Sequence, residues 1–558
     1  MNIDQLFQKS AHEAGNASLD KGNYYLGTIS EVSASTATIQ IENLSILQGR
    51  IFQKESFVPG GMNYMILVAS DNGTFIGRVK RNAIKDSESI HVLMKTGKLD
   101  AIYPQTAAEM LAYIPPFMNV FRPAGFSSVA IHDKVYLAPE GAITRYYQSL
   151  EVLDSAKGER SLLPFATLAV KSNLKISFKP ATLFSRHLMV IGSTGSGKST
   201  SALSILDKVS NDGEKVLIID PTGEYKDTFD ENEIDKLHLG EDTCIVPGSV
   251  SIDQWIDLLQ ASPGIQAPSL MNAILALRFQ WQNELRGEVY QKLGSTFAQI
   301  DTDMAGLSSE NKNFNFDCLE RQMLQESVSE KKNTKGELEK DPFKANANRP
   351  LVERLHQFQH SPMFRKLFTD VSRNSLTEKL DTFFEGTRSL YVDASTINSG
   401  DTIGQLIVDL ICRRIEERKL REQQAFVLFI DEVHRYVKRQ ASDGSLLEDG
   451  LTTLAREGRK LGVYLLLTTQ SPNDVSKILI AQMGSMLIHR LTQPDELFSI
   501  KNYLDEDSRN QIQKLDQGEA ILTSVNLMHD IQLKMDKSQR SHANSSPSLQ
   551  CKSEKSAN

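Results

Sequence analysis

Leu188-Met-Val-Ile-Gly192-Ser-Thr-Gly-Ser-Gly-Lys198-Ser199-Thr200 is the stretch that decides the fold of this chain. Its four apolar residues read as a buried strand, and the run Thr200-Ser-Ala-Leu-Ser-Ile-Leu206 that follows suits a helix. Between them Gly192, Ser193, Thr194, Gly195, Ser196, Gly197, Lys198 and Ser199 match the pattern G-x-x-x-x-G-K-[ST]. Glycines there let backbone N–H groups turn inward around an anion, and the helix beyond presents its positive end to the same point. This implies a loop that cradles nucleotide phosphates. Lys198 would serve the β and γ phosphates and Ser199 would ligate Mg²⁺, with Thr200 beside it.

Further along, Phe426-Val-Leu-Phe-Ile-Asp431-Glu432 is a buried strand that ends in two carboxylates. Asp431 suits Mg²⁺ and Glu432 suits polarisation of an attacking water, so hydrolysis of ATP is expected as well as binding. Val216-Leu-Ile-Ile-Asp220 ends in a third carboxylate, before Pro-Thr-Gly-Glu224-Tyr225. In an open parallel sheet, ligands gather at the carboxyl ends of strands, which makes Asp220 a candidate catalytic residue; a plain turn explains it as well. Gln470 follows Val463-Tyr-Leu-Leu-Leu-Thr-Thr469, where its amide could sense the γ phosphate.

The remaining candidate strands are Leu390–Asp393 and Met486–Arg490, and long helical patterns lie between the strands. That alternation predicts an α/β domain with a parallel sheet. Residues 251–385 read as a helical subdomain inserted into a core formed by 181–250 and 386–536, with a mobile, charge-dense surface stretch at about 308–348. Upstream, short alternating runs such as Thr38-Ile39-Gln40-Ile41 and Phe75-Ile76-Gly77-Arg78-Val79 predict a small β-barrel over residues 1–100. Residues 101–180, including Ile90–Met94 just before them, Val129–Leu137 and Thr167–Phe178, read as strands leading into the core. Residues 537–558 are rich in Ser, Lys and Asn and are expected to be a disordered tail.

At 558 residues the chain exceeds what one core usually serves. Its net charge of −8 argues against a surface that coats nucleic acid, so any DNA contact must be local. The four cysteines, Cys244, Cys318, Cys412 and Cys551, have neither metal-site nor disulfide spacing. With no export signal and no run of 18 apolar residues, a cytoplasmic protein without membrane segments is expected.

Taken together and in order, several blocks resemble the HerA type within the HerA/FtsK superfamily of additional-strand, RecA-like P-loop ATPases. They are the loop preceded by Arg186-His187, Asp220-Pro-Thr-Gly-Glu-Tyr225, Asp431-Glu-Val-His434-Arg435-Tyr436, Ala455-Arg456-Glu-Gly-Arg459-Lys460, Thr468-Thr-Gln470 and Leu487-Ile-His-Arg490. The resemblance covers about residues 20–535. It implies a homohexamer with ATP sites between subunits, duplex DNA in a central channel, and ATP-driven translocation.

On this resemblance Arg456 and Arg459 are candidates for a cation supplied to the next subunit's γ-phosphoryl group. Arg186 and Arg490 are candidates for nucleotide contact; surface ion pairs explain each arginine as readily. The basic segment from Arg435 through Lys438 and Arg439 to Gly444 is a candidate DNA-facing loop, with a solvated helix end as the alternative. The resemblance also implies a partner. This is either a NurA-like nuclease in DNA end processing or, as an assembly subunit of antiphage defence, a sirtuin-like NADase or a nuclease effector. A conjugation or secretion motor is disfavoured, because such motors usually bring membrane helices.

Overall fold

The computed structural model describes residues 1–13, 19–34, 36–43, 50–52, 55–57, 62–83, 95, 104–152, 160–169, 171–330, 336–368, 374–395, 402–417, 424–437, 449–538 and 540. The chain divides into two units, one of residues 1–185, 502–511 and 521–534, the other of 186–501, 512–520 and 535–558.

The first unit holds a closed barrel of six antiparallel strands. Tyr25–Val32 pairs with Thr36–Ile41, which pairs with Gln105–Ile114, then Gly73–Ala83, Met65–Ser70 and Lys134–Leu137, and the last returns to the first. Alternation dictates this: in Thr36–Ile41 every second residue is buried, so Ala37, Ile39 and Ile41 fill the interior. Gly27 sits where the backbone of the neighbouring strand crosses, and a Cβ there would lie 2.0 Å from the Gln40 carbonyl oxygen.

Closure needs strands 105–114 and 134–137, so the barrel runs well past the boundary at residue 100 read from the sequence. Of the stretch Val129–Leu137 only Lys134–Leu137 is a strand, and Ile90–Met94 lies outside the described residues. Thr167–Phe178 is a hairpin of Ala166–Leu168 with Lys171–Ile176. In strand order it is followed by Ile531–Met535 and Glu519–Ser524, and of that late segment residues 521–534 group with the first unit.

The second unit is built on seven parallel strands in the order Ser485–Ile488, Leu188–Ile191, Val463–Thr469, Phe426–Ile430, Lys215–Asp220, Ser389–Asp393, Ile234–His238. Six of these match the strands expected from sequence within a residue or two. The seventh, Ile234–His238, escapes because as an edge strand it carries Asp235 and Lys236 and buries only Ile234 and Leu237 fully. The register sets Ile191 opposite Thr469 and Ile488, Ile430 opposite Leu467 and Ile219, and Asp220 opposite Asp393. All carboxyl ends therefore share one edge of the sheet.

Residues 251–385 are mainly helical, with helices Ile252–Leu258, Gln266–Gln282, Phe297–Ala305, Leu319–Gln325, Pro342–His360, Pro362–Phe368 and Leu376–Glu385. The first is started by Ser251, whose side chain accepts the Gln254 N–H while Gln254 returns the bond. Trp255 is fully buried and packs on Phe314, Phe316 and Phe368. The stretch expected to be mobile is largely folded. Phe314, Phe316, Leu319, Met323, Val328 and Leu338 are buried, and Lys292 meets Glu326 in a buried ion pair of 2.5 Å; residues 331–335 of that stretch lie outside the described residues.

The stretch 537–558, expected to be disordered, holds a well-partnered residue near its start. Arg540 pairs with Asp207 at 2.7 Å and Glu233 at 2.6 Å and stacks on Phe229, with its guanidinium carbon 4.5 Å from the ring centre. Residues 541–558 lie outside the described residues. Among the described residues no helix is long and apolar enough to cross a membrane, and Cys244, Cys318 and Cys412 are buried free thiols; Cys551 is outside them.

Trp255→Ala should cost about 3–5 kcal/mol of the second unit's stability, because the aromatic cage cannot collapse onto the void. Urea unfolding followed by the fluorescence of the remaining Trp281 measures this, and a loss under about 1 kcal/mol would contradict the packing.

Candidate active site

The phosphate loop is held from below by its sheet neighbours. The Gly192 N–H donates to the Thr469 carbonyl, and both the N–H and the hydroxyl of Ser193 donate to the Arg490 carbonyl, at 3.0 and 2.9 Å. The Ser196 hydroxyl donates to the Ser193 carbonyl at 2.7 Å, and the Ser196 carbonyl accepts the Gly518 N–H at 2.9 Å. Gly195 and Gly197 adopt φ values of 75° and 110°, the left-handed region that glycine tolerates. Nothing lies within 4 Å of a Cβ built on Gly195. Helix Lys198–Asn211 then begins with no side chain capping its first N–H groups.

His489 fills the space beneath. A Cβ on Gly192 would lie 2.7 Å from its Cβ, and its Nδ1–H donates to the Glu519 carbonyl at 2.8 Å. Burial lowers its pKa to about 4.

Lys198 Nζ donates to Glu432 Oε1 at 2.9 Å, with both side chains almost wholly buried. Glu432 has a left-handed backbone, φ 48° and ψ 51°, an uncommon conformation for a residue with a side chain. Thr468 fixes the pair of carboxylates. Its hydroxyl donates to Asp431 Oδ1, and its oxygen accepts the Glu432 N–H at 2.9 Å. The Gln470 N–H reaches Glu432 Oε2 at 3.3 Å, and the Gln470 side-chain oxygen accepts the Thr194 hydroxyl at 2.7 Å. The proposed sensor is thus already joined to the tip of the loop.

Asp220 is taken up by the chain itself. One oxygen accepts from Thr222 N, Thr222 Oγ1 and Gly223 N at 2.9–3.0 Å; the other accepts from Tyr225 N at 2.8 Å and the Tyr391 hydroxyl at 2.9 Å. With five donors on a fully buried carboxylate, Asp220 is engaged by the turn, the plain-turn alternative that its sequence left open. The turn instead delivers Glu224, whose Oε2 is buried without a hydrogen-bond partner. Burial first, then the charge of Asp220, holds the Glu224 pKa above the usual carboxylate range, with Lys198, Glu432 and Arg435 also felt.

Burial likewise pushes Asp431 up to about 7, reinforced by the charges of Glu432 and Glu224 and opposed by the Thr468 hydrogen bond and Lys198. Three carboxylates thus face one ammonium group. A site so short of positive charge fits a divalent cation held by Asp431 and Ser199. Among the described residues there is no group of three or more metal-binding side chains, so such a cation would complete its shell with phosphate oxygens and water.

The arginines go elsewhere. Arg186, Arg456 and Arg459 are exposed at the amino-terminal ends of their strands, whereas the loop is at the carboxyl ends. The seven residues of Val463–Thr469 span roughly 20 Å, which puts Arg456 and Arg459 out of reach of the loop in their own chain; Arg186 likewise precedes a strand that the loop follows. His187 knits this far edge together. Its Nε2–H donates to the Ala455 carbonyl at 2.9 Å and its Nδ1 accepts the Leu465 N–H at 3.0 Å. Burial lowers its pKa to about 4, and the charges of Arg186 and Arg459 add to the effect.

Arg490 is at the loop's edge, but its carbonyl makes the contacts. Arg435 is half-buried next to the catalytic strand, while Lys438, Arg439 and the rest of that basic segment to Gly444 lie outside the described residues. Sequence reasoning quoted Glu224, His434, Thr468 and His489 within its blocks and assigned them no role. The signal available was their position: Glu224 and His434 four residues past the strands that end at Asp220 and Ile430, Thr468 next to last in its strand, and His489 directly after the end of its own.

Thr468→Val keeps volume but removes the hydroxyl that ties Asp431 to the Glu432 backbone, and ATP turnover should fall at least about tenfold with the melting transition within a few degrees of the parent. Unchanged turnover would show that Thr468 is incidental. Acidification supplies a second check. His187 and His489 stay neutral in the folded state down to about pH 4, whereas unfolded histidines protonate near 6.5. The stability present above pH 6.5 should therefore fall between pH 6.5 and 4, by on the order of 3 kcal/mol per histidine; equal urea midpoints at pH 7 and pH 5 would contradict this.

Residues 164–415 match the family described as "Helicase HerA, central domain". The DNA double-strand break repair helicase HerA of Sulfolobus acidocaldarius is 24% identical over 391 residues, which is 68% of this chain and 70% of that protein. Its counterpart from Saccharolobus solfataricus is 24% identical over 351 residues, 61% of this chain and 62% of that one. Among solved structures, VirB4 of Thermoanaerobacter pseudethanolicus overlaps 70% of this chain and 98% of its own at 16% identity, with a TM-score of 0.46. The matched span 164–415 contains the phosphate loop and ends before the paired carboxylates Asp431 and Glu432, and over it this chain is similar to the central domain of HerA helicases.

Proposed function

We propose that this chain is the subunit of an ATP-hydrolysing homohexameric ring that binds duplex DNA in a central channel and moves it, working beside a separate nuclease or effector in the cytoplasm. The observation that carries the reading is the split between the two sheet edges. Lys198, Ser199, Asp431 and Glu432 gather at the carboxyl edge, while Arg456 and Arg459 stand exposed at the opposite edge of the same strands. A phosphoryl-transfer site needs a cation opposite the charge that develops on the γ phosphate, and only another copy could bring these arginines there. The relatives' names as DNA repair helicases support DNA as the object moved.

The roles then follow from the geometry. The loop amides and the helix terminus bind phosphate, Lys198 steadies the β and γ phosphates, and Glu432 takes a proton from the attacking water. Ser199 and Asp431 would hold Mg²⁺, which when bound neutralises phosphate charge. Gln470, hydrogen-bonded to Thr194 at 2.7 Å, passes the state of the loop to the strand Val463–Thr469, whose start is joined to the arginine edge through His187. The net charge of −8 confines DNA contact to a local basic lining.

Lys198→Ala should abolish ATP turnover, and Glu432→Gln should retain ATP that does not become ADP. Rings mixed from Arg456→Ala and Glu432→Gln subunits should recover part of the hydrolysis that each variant lacks alone, measured as ADP release against the mixing ratio. No recovery in verified mixed rings would remove the trans placement. Copurification with the product of the neighbouring gene, with DNA-stimulated hydrolysis measured on the complex, separates a motor feeding a nuclease from an assembly subunit of a defence effector.

A further inference from the structure

The carboxylate of Glu432 is shared among three groups. Oε1 takes Lys198 Nζ at 2.9 Å, and Oε2 faces the Gln470 N–H at 3.3 Å and His434 Nδ1 at 3.3 Å. An ionised carboxylate has only lone pairs to offer, so a proton on Nδ1 would let the imidazole donate to the oxygen it faces. The same Nδ1 lies 3.3 Å from Thr469 Oγ1, an oxygen that also accepts the Ser471 N–H at 3.1 Å. His434 is thus anchored to the end of the strand Val463–Thr469 while it faces Glu432.

The local backbone explains why residue 434 can turn back on residue 432. Glu432 is left-handed, and Val433–Arg435 forms a single 3-10 turn whose closing bond runs from the Arg435 N–H to the Glu432 carbonyl. The turn folds the chain over the carboxylate that precedes it. Half-burial lowers the basicity of His434, against the opposing pull of the Glu432 charge.

Lys198 cannot serve two anions equally. With phosphate in the loop, its ammonium is drawn to the larger negative charge, and Oε1 of Glu432 loses its nearest partner. What then aims the carboxylate is whatever remains on Oε2, and a backbone amide at 3.3 Å leaves rotation about the side chain open. We propose that His434 is a positioning residue: by donating Nδ1–H to Oε2 it holds Glu432 toward the attacking water once Lys198 has turned to phosphate. Its part is to aim the carboxylate and not to hold nucleotide, so it bears on the rate of hydrolysis and leaves nucleotide affinity alone. The inference rests on the reading of Glu432 as the base.

The test uses the full-length chain with MgATP. Asparagine places its amide nitrogen where Nδ1 stands, whereas glutamine reaches toward the position of Nε2. His434→Ala and His434→Gln should bind a fluorescent ATP analogue within about threefold of the parent yet hydrolyse ATP at least about tenfold more slowly in a single turnover, as a misaimed catalytic group does. His434→Asn should return to within about threefold of the parent rate. Three results would overturn the proposal: His434→Ala hydrolysing at the parent rate, His434→Asn as slow as His434→Gln, or affinity and rate falling by the same factor. If alanine prevents folding, the asparagine and glutamine pair decides alone. Glu432→Gln run in parallel separates the two layers, since parental turnover in that variant would remove the base assignment itself and not only the role of His434.

Discussion

Everything at the carboxyl edge of the sheet is arranged around one buried ion pair, Lys198 with Glu432. Two charges withdrawn from water are costly unless each finds its opposite, and here the two meet at 2.9 Å. Thr468, Gln470 and the left-handed backbone at 432 all fix the carboxylate end of that pair, and the loop with its underlying His489 fixes the ammonium end. The group proposed to accept a proton from water is thus paired with the group proposed to bind phosphate.

Parallel strand register makes the pair possible. Residues separated by 234 positions in sequence meet because Ile191 and Ile430 both end their strands at the level of the strand between them, opposite Thr469 and Leu467. The same register sends Arg186, Arg456 and Arg459 to the other edge. One sheet thus sets the phosphate loop and these arginines at opposite edges, with His187 bonded to both Ala455 and Leu465 at the far side.

Much of this was readable in the sequence because its signals are local. A run such as Phe426-Val-Leu-Phe-Ile followed by Asp431 and Glu432 needs no knowledge of its neighbours to be seen as a strand with carboxylates at its end. What escaped depended on distant partners. Asp220 could be told from a catalytic carboxylate only by counting its donors, one of which, Tyr391, lies 171 residues away. The extent of the barrel depended on which strands close it, and Lys134–Leu137 is too short to announce itself. The polar stretch after Ser308 looked unable to bury anything, yet it places single apolar residues, Phe314, Phe316 and Leu319, where a helical core receives them. Glu224 and His434 were in view as letters of motifs; their meaning lay in an unpaired oxygen and a 3.3 Å approach.

The left-handed backbone of Glu432 carries a consequence for the balance between endurance and activity. A side chain in that region costs roughly 1–3 kcal/mol, and glycine at the same position would release most of it. Selection for thermal resistance alone would therefore favour discarding the carboxylate proposed above as the base. Stabilising this protein without losing that carboxylate means strengthening residues away from this turn.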